Sequence, residues 1–238
     1  MIEQVYMSDC IKHFHKGFRE LWGLKKYNDI NAPALFVGMY DISDMQTLKN
    51  HQGDKRVIFS GADMDNSPIV DCPIITTAYQ GARLKTLQPL TILRDVPYKS
   101  FENFKPVHLG EKIYCYQNGD SQGNRTKYRY DLLQKVIDRF GDRVVIGHHP
   151  HTEAEMIDIY KECAIGLQFN PFGGFTSTKE LAHMGRTSFC LRPTPFTRDY
   201  TEHNIVQRIE NVLDSLSVPE WTAEDAKQFV NIGKDWLK

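Results

Sequence analysis

No charge of one sign dominates this chain: 29 Lys and Arg stand against 30 Asp and Glu, for a formal net charge of −1. That balance leaves no global basic field of the kind that holds nucleic acid or an anionic membrane surface. Any anion site must therefore be local. Cysteine is scarce and unpatterned. The five cysteines, Cys10, Cys72, Cys115, Cys163 and Cys190, fall at no zinc or redox spacing. Several lie inside apolar runs such as IYCY and SFCL, and they read as buried free thiols of a reducing compartment. The start of the chain, MIEQVYMSDC, lacks the basic and apolar regions of a secretory signal. No uncharged apolar run approaches the about 20 residues that a membrane span requires. No G-x-G-x-x-G opens either half, which argues against a dehydrogenase. The expectation from these gaps is a soluble, cytoplasmic protein with no membrane span and no nucleic-acid partner.

What is present is ordinary globular material. Hydrophobic residues make up 41% and charged residues 25% of 238, enough for one large or two small domains with a substantial core. Ile11, Phe14, Phe18, Leu21 and Trp22 repeat at helical spacing. ALFVGMY (34–40) reads as a buried strand, followed by a short helix capped by Asp41 or Ser43, with Ile42, Met45 and Leu48 on one face. RVIFSG (56–61), CPIIT (72–76) and PLTIL (89–93) read as further strands. Strands apolar on both faces and separated by helices predict a parallel sheet. Residues 94–110, with two prolines and no period, read as an interdomain linker.

The pattern then restarts. KIYCYQNG (112–119) is a strand running into a polar loop. Leu132, Leu133, Val136, Ile137 and Phe140 mark a helix with Gly141 at its end. RVVIG (143–147), AIGLQFN (164–170) and TSFCLRP (187–193) are strands. Helices are expected around Met156, Ile157 and Tyr160, from Ile205 to Leu213, and from Trp221 to Leu237. The expected fold class is α/β: two Rossmann-like domains, 1–107 and 108–218, with parallel sheets facing across a cleft, and a tail helix (219–238) packing back on the first domain.

The segment from Asn170 to Phe189, NPFGGFTSTKELAHMGRTSF, has more polarity than a strand-to-helix corner needs. Ligands of open parallel sheets bind beyond the carboxyl ends of the strands. There Gly173 and Gly174 let backbone amides approach a ligand, and the following helix start offers unpaired donors and partial positive charge. Thr176, Ser177 and Thr178 add hydroxyls. The corner fits a diphosphate or sugar-hydroxyl site. It also fits a plain helix start, because Ser177-Thr178-Lys179-Glu180 matches the capping box S/T-x-x-E. Both readings stand at this point.

Residues 112–215, and above all VVIGHHPHTEAEMIDIYKECAIGLQFNPFGGFTSTKELAHMGRTSFCLRP, resemble the donor half of GT-B glycosyltransferases of the retaining family 4 type. GGFTSTKELAHMGRTSF follows that family's plan, with Glu180 at the second Glu of its E-x7-E motif and Phe172 where the first Glu is expected. The family's extra strand and helix between Phe140 and Val144 are missing, as are the glycine-rich loop and catalytic His of its acceptor domain. The small virus-encoded glycosyltransferases of large algal viruses are similar in scale, which implies a host cytoplasm.

The resemblance implies a set of roles. Glu180 would hold the ribose of the nucleotide. The backbone and hydroxyls of Gly173, Gly174, Phe175, Thr176, Ser177 and Thr178 would take the diphosphate and sugar. Arg125 and Lys127, with Arg129 less favoured, would stabilise the charge of the departing diphosphate, joined by Asn118 from the same loop. His148 and His149 would wall the base pocket, whereas His151 reads as plain loop; H-H-P-H is no zinc spacing, and no metal is expected. In the first domain Tyr40-Asp41 and Gly61-Ala62-Asp63 follow strands. Asp63 is a weak candidate for orienting an acceptor hydroxyl, against a simple turn role.

The implied activity is transfer of a hexose from a nucleoside diphosphate sugar to a glycan or glycoprotein, with retention at the anomeric carbon. GDP-mannose leads on family frequency and UDP-hexoses come second. No cofactor is held tightly, the donor being a substrate. The oligomeric state is open, with a homodimer among the options. The alternatives are a non-catalytic nucleotide-sugar-binding module, since Phe172 replaces a Glu, and a nucleotide-sugar epimerase of GT-B fold.

Overall fold

The computed structural model describes residues 1–77, 81–82, 84–93, 101–117, 125–126, 128–147, 151–170, 176–190 and 198–215. The chain divides into two compact units, the second beginning at Phe101.

Unit 1 runs β1 (Gln4–Met7), α1 (His15–Trp22), β2 (Lys25–Lys26), β3 (Ala34–Val37), α2 (Ile42–Asn50), β4 (Lys55–Ile58), β5 (Ile74–Thr77) and β6 (Leu90–Leu93). Its sheet has the order β2-β1-β3-β4-β5-β6, with every pair parallel. The apolar runs explain this directly. All four residues of β3 are fully buried. Leu35 and Val37 pack with Phe18 and Trp22 of α1, while Ala34 and Phe36 pack with Leu48 of α2. A strand covered on both faces is what a parallel sheet with helical crossovers produces. Asp41 caps α2, and Asp44 returns the bond to complete a capping box.

Two features of unit 1 escaped the sequence pattern. β1 lies in the segment notable only for what it lacked. The helix expected from Ile11 begins at His15, after a 3-10 turn over Asp9–Phe14 in which Ile11 leaves helical dihedrals (φ −128°, ψ 18°).

Unit 2 contains β7 (Lys112–Tyr116), α3 (Tyr130–Phe140), β8 (Val144–Gly147), α4 (Glu153–Lys161), β9 (Cys163–Gln168), α5 (Thr176–His183), β10 (Thr187–Cys190), β11 (Arg198–Asp199) and α6 (Ile205–Ser215). The order is β11-β10-β9-β7-β8, again all parallel. Ile113, Cys115, Ile165 and Leu167 meet α3 and α6 on one face. On the other, Gly166 lets α5 approach closely: a Cβ there would stand 2.4 Å from Leu181 Cδ1.

The stretch expected as a linker is in part wall. Phe101 and Phe104 are buried, with the Phe101 ring stacked on His183 at 4.8 Å. The expected boundary at 107/108 thus falls inside unit 2. Arg186 fastens the same stretch. It is 1% exposed and donates to the carbonyls of Val107, His108, Tyr160, Lys161, Cys163 and Met184. The carbonyl-rich ends of α4 and α5 suit a cation, although burial lowers the guanidinium pKa. Four cysteines are buried as expected and Cys10 is exposed; burial pushes Cys72, Cys115 and Cys163 up to about 12. Among the described residues no helix is long and apolar enough to cross a membrane. The expected tail helix lies outside the described residues.

Candidate functional site

In each unit the direction of winding reverses beside the first strand. Unit 2 goes from β7 out to β8 and returns to β9 on the other side of β7. In open parallel sheets ligands bind beside such a reversal, beyond the carboxyl ends of the flanking strands, which here are β7 and β9. Gln117 follows β7 and Asn170 follows β9, both buried. Gln117 donates through Nε2 to the Tyr128 carbonyl at 3.3 Å, while its Oε1 is enclosed without a hydrogen-bond partner. Sequence reasoning missed Gln117, although it directly precedes Asn118 at the strand end.

The helix α5 follows β9. It already runs at Thr176, so Ser177 lies in its first turn and not at the cap position of the expected capping box. Thr176 and Ser177 are half-buried, and Thr178 is buried. Glu180 is 5% exposed, and its Oε2 accepts a hydrogen bond from the Tyr160 hydroxyl at 2.7 Å. Tyr114 stands edge-on to Tyr160, rings 5.0 Å apart at 90°. Burial first, and the nearby Glu180 charge as well, hold both phenols well above their ordinary value. They remain neutral donors.

The candidate cations separate. Arg125 is exposed, and its guanidinium lies over the Tyr130 ring, 5.1 Å from the centroid. Arg129 precedes α3 in the left-handed region (φ 51°). It pairs with Asp131 at 2.7 Å and also with Glu202, so its charge is committed within the protein. Asn118, Lys127, His148, His149, Gly173, Gly174 and Phe175 lie outside the described residues, as does Phe172.

In unit 1 the reversal falls between β1 and β3. Asp63, on the 3-10 turn Ala62–Ile69, is 2% exposed. It accepts from the amides of Met39 (2.9 Å), Ser60 (3.0 Å) and Gly61 (2.7 Å). Burial still raises its pKa despite those donors. An enclosed carboxylate engaged by three amides ties the turn after β3 to the turn after β4. That is an anchoring role. Asp44 works alongside it, accepting from the Tyr40 and Asp41 amides at 2.9 and 3.1 Å and from the Tyr6 hydroxyl at 2.7 Å. The turns so held present two half-buried hydroxyls, Tyr40 and Ser60, 2.8 Å apart. Burial pushes the Tyr40 phenol up to about 12. Ser60 was missed in the sequence; its signal is that Tyr40 and Ser60 both follow the ends of adjacent strands.

No protein-family model matches this chain, and no curated protein matches it. Solved structures do. TarM aligns with a TM-score of 0.56 at 8% identity over 86% of this chain and 52% of its own. Sucrose-phosphate synthase from Thermosynechococcus elongatus gives 0.53 at 11% over 83% and 68%. The pneumococcal O-GlcNAc transferase GtfA, solved with UDP and GlcNAc, gives 0.50 at 11% over 82% and 54%. The chain spans about half the length of TarM and of GtfA. At these identities the likeness is one of fold, and the fold is GT-B-like α/β with two parallel sheets.

Proposed function

We propose that this chain is a glycosyltransferase that moves a hexose from a nucleoside diphosphate sugar to a glycan or glycoprotein acceptor, with retention at the anomeric carbon. Unit 2 takes the donor and unit 1 the acceptor. The observation that carries this reading is the placement of Glu180. It is a carboxylate on the helix that follows β9, the strand beside the winding reversal, and the reading gives it the ribose hydroxyls of the nucleotide.

In this reading Gly173, Gly174, Phe175, Thr176, Ser177 and Thr178 take the diphosphate and sugar, together with Asn118. Arg125 and Lys127 stabilise charge as the diphosphate leaves, and His148 and His149 line the base. A departing phosphate oxygen takes the acceptor proton, so no pair of carboxylates flanking the bond is needed, unlike in glycosidases. The reading calls for no bound metal. GDP-mannose and UDP-hexoses are the donors to assay; the UDP held by GtfA supports including the latter. On the acceptor side the reading looks to the Tyr40–Ser60 hydroxyl pair as hydrogen-bonding groups for an acceptor sugar.

A second reading, a non-catalytic nucleotide-sugar-binding module, draws on Phe172 at the first motif position and on the enclosure of Asp63. Calorimetric titration with nucleotides and nucleotide sugars tests both, on wild type and on Glu180→Ala. The variant is expected to weaken nucleotide binding by about 1–3 kcal/mol, the worth of a charge-assisted hydrogen bond. Unchanged binding with lowered thermal stability would make Glu180 a structural residue only. Binding without donor hydrolysis or transfer would favour the module.

A further inference from the structure

Glu180 does not set its own orientation. A buried charge needs hydrogen-bond donors to be tolerated, and one donor reaches it from another helix. Tyr160, near the end of α4, donates to Oε2 at 2.7 Å with both side chains enclosed. A bond from a phenol to a carboxylate in such surroundings is strong and directional.

The phenol is itself gripped on several sides. Tyr114 of β7 meets it edge-on at 5.0 Å, and Phe104 lies 6.4 Å away. Arg186 binds the Tyr160 carbonyl, which fixes the end of α4 against the Val107–His108 segment. Gly147, the last residue of β8, makes room for the cluster. A Cβ there would stand 2.1 Å from the Tyr114 hydroxyl, a distance no side chain tolerates. If ring packing alone were required, phenylalanine would serve at position 160. The hydroxyl is explained by its carboxylate partner.

We propose that Tyr160 is a positioning residue of the nucleotide site: its hydroxyl fixes the Glu180 carboxylate in the orientation that receives the ribose hydroxyls. This rests on the nucleotide reading above. It adds that ribose recognition depends on a residue of α4, two elements earlier in the chain than the helix bearing the carboxylate.

The test is calorimetric titration of UDP and GDP beside their 2′-deoxy and 2′,3′-dideoxy counterparts, on wild type, Tyr160→Phe, Glu180→Gln and the double variant. Wild type is expected to prefer the ribonucleotides. In Tyr160→Phe that preference falls by about tenfold, the equivalent of roughly one hydrogen bond, while affinity for the dideoxynucleotides is unchanged. Glu180→Gln loses the same preference, and the double variant loses no more than either single change. A residue that merely packs would shift thermal stability and leave the ratio alone. Should Tyr160→Phe retain the full wild-type preference, the proposal is overturned while the nucleotide reading survives. If Tyr160→Phe does not fold, Glu180→Gln decides, and a preference retained there overturns the proposal. Wild type that binds neither nucleotide removes the reading and the proposal together.

Discussion

The Arg186 guanidinium donates to the Val107 carbonyl at 2.9 Å, joining the entry segment of unit 2 to the strand that follows α5. Among the described residues no carboxylate bonds it; its charge is met by the carbonyl oxygens of helix ends and of the segment running into β7. Arg186→Met keeps much of the stem and removes every donor. The Tyr160 and Cys163 carbonyls keep backbone donors from Glu162 and Gly110, but the bonds to the guanidinium are lost, and each bond to a charged group is worth roughly 1.5–3 kcal/mol. Urea unfolding should show a loss of at least about 3 kcal/mol. A loss within about 0.5 kcal/mol, typical of surface substitutions, would mean that water replaces the guanidinium.

His51 supplies a pH dependence for unit 1. Its Nδ1 lies 3.2 Å from the Tyr27 hydroxyl and its ring packs edge-on to Phe36 at 5.3 Å. Burial, the largest influence, holds its pKa below 6.5, and Lys55 pushes the same way. An imidazole depressed in the folded state binds its proton more readily once unfolded. Its contribution is therefore complete above 6.5 and is lost as the pH falls through the folded value. Wild type should lose stability as the pH falls from 6.5 toward about pH 5, the lower part of the range in which histidine titrates. His51→Phe should lose less over the same interval. His15, lowered by burial and by Arg19, accounts for part of the slope that remains. Equal slopes in the two proteins would count against His51.

The strands were legible wherever burial on both faces imposed a continuous apolar run. β3, β7 and β10 fall within the segments that the pattern singles out, and β9 starts one residue ahead of its segment. β2 and β11 are two-residue edge pieces, too short to carry any periodicity, and the Lys25–Lys26 pair reads as polar loop. The second unit's start was hidden for a different reason. Phe101 and Phe104 are isolated aromatics in a proline-containing stretch, and only their partners His183 and Tyr160 reveal them as core. Glu180 was singled out by its motif alone. Its Tyr160 partner lies twenty positions earlier, beyond any local pattern, and the same distance effect concealed Asp63 as an anchor for Met39.

Asp63 therefore yields a prediction that differs from that for a catalytic carboxylate. Asp63→Ala frees the amides of Met39, Ser60 and Gly61 and loosens both turns that carry Tyr40 and Ser60. Stability should fall by about 2–4 kcal/mol, the order expected when a buried network is broken. Asp63→Asn, which retains one acceptor oxygen, should fall less. Donor hydrolysis in water, which needs no acceptor, should persist in whichever variant remains folded. Loss of hydrolysis in a folded Asp63→Asn protein would return the residue to the chemistry.

Arg125 and Arg129 lie close in sequence and should respond in opposite ways. Arg129 is paired with Asp131 and Glu202 at a partly exposed helix start. Such pairs are worth at most about 1 kcal/mol, so Arg129→Ala should cost a little stability and leave donor turnover unchanged. Among the described residues Arg125 has an aromatic ring beneath it, and an exposed stack of that kind is worth about 0.5–1 kcal/mol. That is a small barrier to turning the guanidinium toward a diphosphate. If it does meet the leaving group, the interaction strengthens as charge develops and acts on the transition state more than on the bound donor. Arg125→Ala should then lower kcat for donor hydrolysis by about 100-fold, with a smaller change in KM and almost none in Tm. Steady-state kinetics on the two variants decides the matter. A kcat loss in Arg129→Ala matched by none in Arg125→Ala would invert the assignment and place the productive cation at the start of α3.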